Sequence, residues 1–222
     1  MRFPSKLSSV ILALSAVFIL LSTCAADPLS TFVIVIDPAH GGADGGTQYE
    51  NKTFEKDITL AVALFLQKEI NRKKGFQALL TRSGDATLPV ERRIKYANSQ
   101  HADMLISIHV NSGFSDQSSG FEFYVPTHQE TSSKRDDLTD KMSNESIRFA
   151  HLILTEFDRI LPRKGRGLRE APLMIFNGLS VPAVVAEIGF ISYPADRNIL
   201  LNQQFKKSIA EAVVNALITY HR

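Results

Sequence analysis

Residues 32–46 read FVIVIDPAHGGADGG. Phe32 to Ile36 is an unbroken apolar, largely β-branched run, the composition of a strand buried on both faces. The Gly-rich turn that follows opens at Asp37-Pro38. Gly41, Gly42, Gly45 and Gly46 let the backbone approach a ligand closely and adopt positive φ. A glycine-rich turn after a first strand also cradles phosphates, so by itself it leaves the chemistry open.

Downstream, apolar residues recur at helical spacing from Glu55 to Asn71. Ile58, Ala61, Val62, Phe65, Leu66 and Ile70 share one face, and Gly75 stops the helix. Phe76–Thr81 reads as a strand and Pro89–Gln100 as a helix with proline in its first turn. Met104–Val110 (MLISIHV) is a further buried strand and Gly120–Val125 another. The polar stretch Thr127–Lys141 reads as a loop, and Glu145–Leu161 as an amphipathic helix. Leu173–Phe176 and Ala183–Ile188 are short apolar strands, and Gln203–Tyr220 a last helix. Strands alternating with helices predict an α/β fold: a mostly parallel sheet with helices on both faces. No internal repeat or Pro/Gly linker divides the chain.

Upstream, Arg2 and Lys6 precede the apolar run Ser9–Leu21, and small residues follow to Ala26. That order of charge, apolar core and small residues is a secretory signal pattern, and the run is short for a membrane span. Cleavage after Ala26 makes residues 1–26 a signal peptide and leaves residues 30–222 as a single domain. Leu21-Ser22-Thr23-Cys24 also resembles a lipoprotein box, with residues 1–23 as the signal and Cys24 as the lipidated residue. Thr23 is unusual before such a cysteine, which favours plain secretion. Either way the expected location is extracytoplasmic, periplasmic or secreted, with membrane contact only through the signal segment or a lipidated Cys24. The chain has 222 residues, 44% hydrophobic and 22% charged, a globular composition long enough to bury its own core. The formal net charge of +2 arises entirely in the leader: without Arg2 and Lys6, 23 basic face 23 acidic residues. That balance argues against nucleic acid as a partner. The single cysteine excludes an internal disulfide framework and a Cys-rich zinc site.

In an open parallel sheet ligands bind beyond the carboxyl ends of the strands. His40 follows the first strand, His109 ends MLISIHV, Glu187 ends AVVAE, and Glu55 opens the first helix. Four proton- or metal-handling groups from distant segments thus converge on one rim. Two imidazoles and a carboxylate make a catalytic zinc site with a position left for water, and a second carboxylate off the metal can act as general base. That chemistry hydrolyses amides.

Four stretches, VIVIDPAHGGADGG (Val33–Gly46), FEKDITLAVAL (Phe54–Leu64), ADMLISIHVN (Ala102–Asn111) and VPAVVAEIGFIS (Val181–Ser192), together resemble the zinc-dependent N-acetylmuramoyl-L-alanine amidases. The resemblance spans about Phe32 to Tyr220. It implies a three-layer α/β/α sandwich with about six strands. It also implies one Zn2+ per chain on His40, Glu55 and His109, with Glu187 as the catalytic carboxylate. The implied substrate is peptidoglycan, cut at the amide between the lactyl group of N-acetylmuramic acid and L-alanine. The family's first motif usually has glycine where Ala39 stands; a small residue with negative φ should serve there. Glu50 is a rival for Glu55 as ligand, but the EKD context before a helical pattern favours Glu55. A long occluding insertion after Val125, common in the division enzymes, has little room here. No added wall-binding domain is expected, so attachment is expected to fall to the catalytic groove, a partner such as an activator protein, or Cys24.

Asp37 either orients a ligand histidine or fixes the turn, and Asn111 either meets substrate or shapes its own turn. Arg93 is read as tying a helix to the sheet. His101, His128, His151 and His221 are read as bystanders. Arg163, Lys164, Arg166 and Arg169 form a solvated basic loop, or else a groove wall that attracts acidic wall peptides. Two rivals to the amidase stay open: a non-catalytic wall-binding module, and a zinc peptidase or deacetylase acting on another amide.

Overall fold

The computed structural model describes residues 31–50, 53–113, 118–127, 137–160 and 165–222. In chain order they form β1 (Phe32–Pro38), β2 (Gln48–Tyr49), β3 (Thr53–Phe54), α1 (Glu55–Ile70), β4 (Phe76–Leu80), α2 (Val90–Ser99), β5 (Met104–Asn111), β6 (Glu122–Val125), α3 (Asp137–Ile160), β7 (Leu168–Glu170), a 3-10 turn (Met174–Phe176), β8 (Ala183–Phe190), α4 (Pro194–Leu201) and α5 (Gln203–Tyr220). The expected leader, with Cys24, lies outside the described residues, as do His128, Arg163 and Lys164.

Six strands join in the order β4-β1-β5-β8-β6-β7. β1 pairs in parallel with β4 and β5, and β5 with β8. β6 runs antiparallel to β8 and carries β7 parallel beside it. β2 and β3 make a separate two-stranded ribbon ahead of α1.

Alternation along each strand sorts its side chains between two faces. Ile34, Ile36, Ile106, Ile108, Phe123, Val184 and Ala186 pack on one face with apolar residues of α1, α3 and α5. Val35, Leu105, Ala183 and Val185 pack on the other with Ile94 and Ala97 of α2 and Ile175 of the 3-10 turn. The result is the expected three-layer α/β/α sandwich with a mostly parallel six-stranded sheet. Its layers are unequal. Among the described residues one is thick and helical, and the other is a single short helix and a turn. Among the described residues no helix is long and apolar enough to cross a membrane.

Four local expectations need correction. Residues 137–141 open α3 and are not loop: their polar sequence carries no apolar period to read. The stretch Leu173–Phe176 is not a strand but leads into a 3-10 turn, with Phe176 N donating to Leu173 O at 2.9 Å. The sixth strand is Leu168–Glu170, within the basic stretch read as a loop. Helix α4 was not foreseen; it starts on Pro194 and ends at Leu201, and the next residue, Asn202, accepts from the Gln204 and Phe205 N–H groups through its side chain to cap α5.

Candidate active site

The carboxyl ends of β1, β5 and β8 lie side by side, and the turn after β1 folds over them. His40 sits in that turn at φ 61°, a left-handed backbone that histidine seldom adopts. Arg93 holds it there. Its guanidinium donates to the carbonyls of Pro38 (2.8 Å) and His40 (2.8 Å) and to Asp37 Oδ1 (2.7 Å). Asp37 also accepts from Thr81 Oγ1 at 2.5 Å and Ser107 Oγ at 2.8 Å. Asp37 therefore fixes the turn and touches neither imidazole. Arg82 ties the same loop by donating to the carbonyls of Pro38, Ala39 and Lys56. Ala39 is buried and not among the positive-φ residues, so the missing glycine costs nothing there.

Glu55 enters from the first residue of α1, and its side chain is drawn inward. His40 Nε2 lies 3.2 Å from Glu55 Oε2 and His109 Nδ1 lies 3.1 Å from Glu55 Oε1. Glu55 also accepts from the backbone N–H groups of Thr47 and Val110, both at 2.9 Å. One ligand atom from each of His40, Glu55 and His109 lies within 4.8 Å of the others. Glu50 is outside this group. Asp44 completes it: its Oδ2 is 2.8 Å from His40 Nδ1, which turns Nε2 toward Glu55. The four-residue spacing inside the glycine turn was the available signal for Asp44.

The groups stabilise one another's charge. Glu55, then Asp44, push His40 up to about 9 against its burial. Burial acts to raise Glu55, but hydrogen bonds from His109 and His40 outweigh it and hold its carboxyl well below the usual range. Burial acts to lower His109, and Glu55 reverses that into a raised value.

Glu187 is the register partner of His109 on the neighbouring strand, facing the same side. Its Oε2 is buried with no hydrogen-bond partner. Burial pushes it up to about 7; His109 opposes the rise, and the negative charges of Glu55 and Glu122 add to it. A cleft of about 480 Å³ opens above these groups, lined by His40, His109, Glu187, Asp44 and Arg93 with Leu88, Val90 and Met174.

Three features fit a divalent cation. The donor set is two imidazole nitrogens and a carboxylate at mutual ligand spacing. Gly46, at φ 67°, leaves the space that a Cβ would take 2.6 Å from both Glu55 Oε2 and His40 Cδ2. The unpartnered Glu187 oxygen adjoins the group without joining it.

Asn111 lies apart from the triad. Its Nδ2 donates to Glu122 Oε1 at 2.8 Å and its Oδ1 accepts from Ser112 N at 2.7 Å. Glu122 was not anticipated, although a carboxylate in the apolar run FEFYV carries the same desolvation cost that singled out Glu187. His101 is exposed on a helix end, His151 is exposed on α3, and His221 packs against Phe32 and Phe76.

A family model described as N-acetylmuramoyl-L-alanine amidase matches residues 34–219. An uncharacterized protein of Bacillus subtilis, YqiI, is 32% identical over 212 residues, covering 95% of this chain and 96% of the relative. The N-acetylmuramoyl-L-alanine amidase AmiA of Escherichia coli is 26% identical over 85% of this chain and 75% of its own length. Among solved structures, the catalytic domain of CwlV, an N-acetylmuramoyl-L-alanine amidase from Bacillus (Paenibacillus) polymyxa, superposes with a TM-score of 0.70. It is 27% identical and covers 85% of this chain and 97% of that one.

Proposed function

The chain belongs to the N-acetylmuramoyl-L-alanine amidase family and is a peptidoglycan amidase; we propose that it works with one zinc ion held by His40, Glu55 and His109 and with Glu187 as its general base. The observation that carries this reading is the placement of the three ligand atoms within 4.8 Å of one another, beside a buried, unpartnered carboxylate. Zinc at such a site supplies Lewis-acid character toward an amide carbonyl and lowers the pKa of water.

The residues of the chain do the rest. Asp44 fixes the His40 ring, and the Arg93–Asp37 pair fixes its backbone. The cleft receives the lactyl-alanyl amide. Glu187, raised to about 7 by burial, is suited to take a proton from the attacking water and return it to the departing nitrogen of L-alanine. The amide C–N bond breaks, leaving a lactyl carboxylate on the glycan and an amino terminus on the peptide.

Residues 1–26 are the proposed signal peptide, which puts the enzyme outside the cytoplasmic membrane where its substrate lies. Digesting purified peptidoglycan with and without a chelator, followed by mass analysis, tests the function. The expected products are glycan with free lactyl ends and peptides beginning with L-alanine, both abolished by chelation and restored by zinc. Binding without release of peptide, or cleavage at another bond, would overturn the reading.

A further inference from the structure

The register places a second polar feature on the same side of the sheet as the catalytic groups. Across it, His109, Glu187 and Glu122 stand in one row on β5, β8 and β6. One row back, Val185, Tyr124 and Arg169 stand in line on β8, β6 and β7. Leu168 and Glu170, the neighbours of Arg169 on β7, point to the opposite face by alternation. Arg166, just before β7, reaches the same spot.

Glu122 anchors this end from beneath. Its side chain is only 5% exposed, against 39% for Arg166 and 51% for Arg169. Tyr124 Oη donates to Glu122 Oε1 at 2.7 Å, joining Asn111 there, and Arg166 Nε donates to Oε2 at 3.1 Å. An Arg169 terminal nitrogen lies 3.5 Å from the same Oε2. Phe190 supports the Arg166 guanidinium, 5.1 Å from the ring centre. Two cations thus share one buried anion, with a positive excess facing outward. Each guanidinium carries five N–H donors in a rigid fork suited to a carboxylate.

We propose that Arg169, with Arg166 beside it, is the subsite for a carboxylate on the peptide part of the substrate. The proposal rests on the amidase reading and adds what that site selects. The residue after L-alanine in the wall peptide is a glutamate linked through its side chain, so its main-chain carboxylate is free unless the cell has amidated it. Arg169 lies two strands from Glu187, on the order of 10 Å, and both arginines reach back to Glu122. One or two residues of extended chain, roughly 4–7 Å, carry that carboxylate from the scissile amide toward them.

The test uses a pair of N-acetylmuramoyl tripeptides that share the scissile amide and differ only in a free or an amidated glutamate carboxylate. The native enzyme is expected to show about a tenfold lower KM for the free acid. In Arg169→Gln the two KM values should converge, with the loss falling on the acid. Arg169→Lys keeps the charge and should retain a preference, and its melting temperature controls for the fold. Equal KM values in the native enzyme, or an unchanged ratio in Arg169→Gln, would overturn the subsite while leaving the amidase intact. Cleavage of neither compound would remove the amidase reading and this proposal with it.

Discussion

A buried carboxylate oxygen with no partner, such as Glu187 Oε2, costs on the order of 1–3 kcal/mol or more. Nothing in the packing requires that cost, so its replacement separates function from stability. Glu187→Gln is expected to keep the zinc, measured by metal analysis, while turnover falls by roughly 10²- to 10⁴-fold. The folded pKa of Glu187 is raised from 4.5 to about 7. Its stability contribution is therefore full below the unfolded value and is lost as pH rises through about 7. Metal-free Glu187→Gln should accordingly melt at the same temperature as the native chain, or higher, at pH 8. As a base, Glu187 must be ionised to act. Activity should rise with pH to a plateau, on a limb centred at or below about 7, because a cation on the three ligands favours the carboxylate. The pH dependence of kcat/KM checks this; loss of that limb in Glu187→Gln would assign it.

At the scale of elements, the turn after β1 and the first turn of α1 are built against each other. Gly46 is where they meet. At φ 67°, a Cβ there would be strained by the backbone and would press on Glu55 and His40 together. Gly46→Ala is expected to cost about 1–3 kcal/mol and to weaken zinc at least tenfold, read by metal titration alongside thermal melting. The link between β1 and α2 is the Arg93–Asp37 pair, with side chains only 7% and 2% exposed. Breaking a buried pair leaves a stranded charge, so Arg93→Ala should destabilise by roughly 3–5 kcal/mol in denaturant unfolding. Arg93→Lys should recover only part of this, because a single ammonium cannot serve Asp37, Pro38 O, His40 O and Leu88 O with the geometry of the fork.

For the molecule as a whole, a ligand that binds only the folded chain adds stability by mass action, about 4 kcal/mol at a thousandfold excess over Kd. Chelation should therefore lower the melting temperature, and zinc should restore it. Addition of zinc should leave His40→Ala unmoved. The unequal layers of the sandwich account for where the cleft opens. Among the described residues α1, α3 and α5 cover one face of the sheet, while the other carries α2 and a 3-10 turn, so the cleft opens on that side above His109 and Glu187. N-terminal sequencing of the exported protein tests the leader: Asp27 as first residue is expected from cleavage after Ala26, whereas a blocked, lipidated Cys24 would overturn plain secretion.

The runs FVIVI, MLISIHV and AVVAE named three core strands because a strand buried on both faces leaves an apolar signature that needs no neighbours to read. The same runs placed His40, His109 and Glu187 at strand ends, and the EKD start of a helical period placed Glu55. The rest was decided in three dimensions. Leu168–Glu170 is a strand only because β6 offers it an edge, and Leu173–Phe176 lacks one despite its apolar composition. The pairing of Asp44 with His40, the clamp of Arg93 on Asp37 and the row from His109 to Glu122 depend on register and on a chain that returns from far away. Local composition reports how deeply a segment is buried. Which polar groups come to share a charge is set by the packing that brings those segments together.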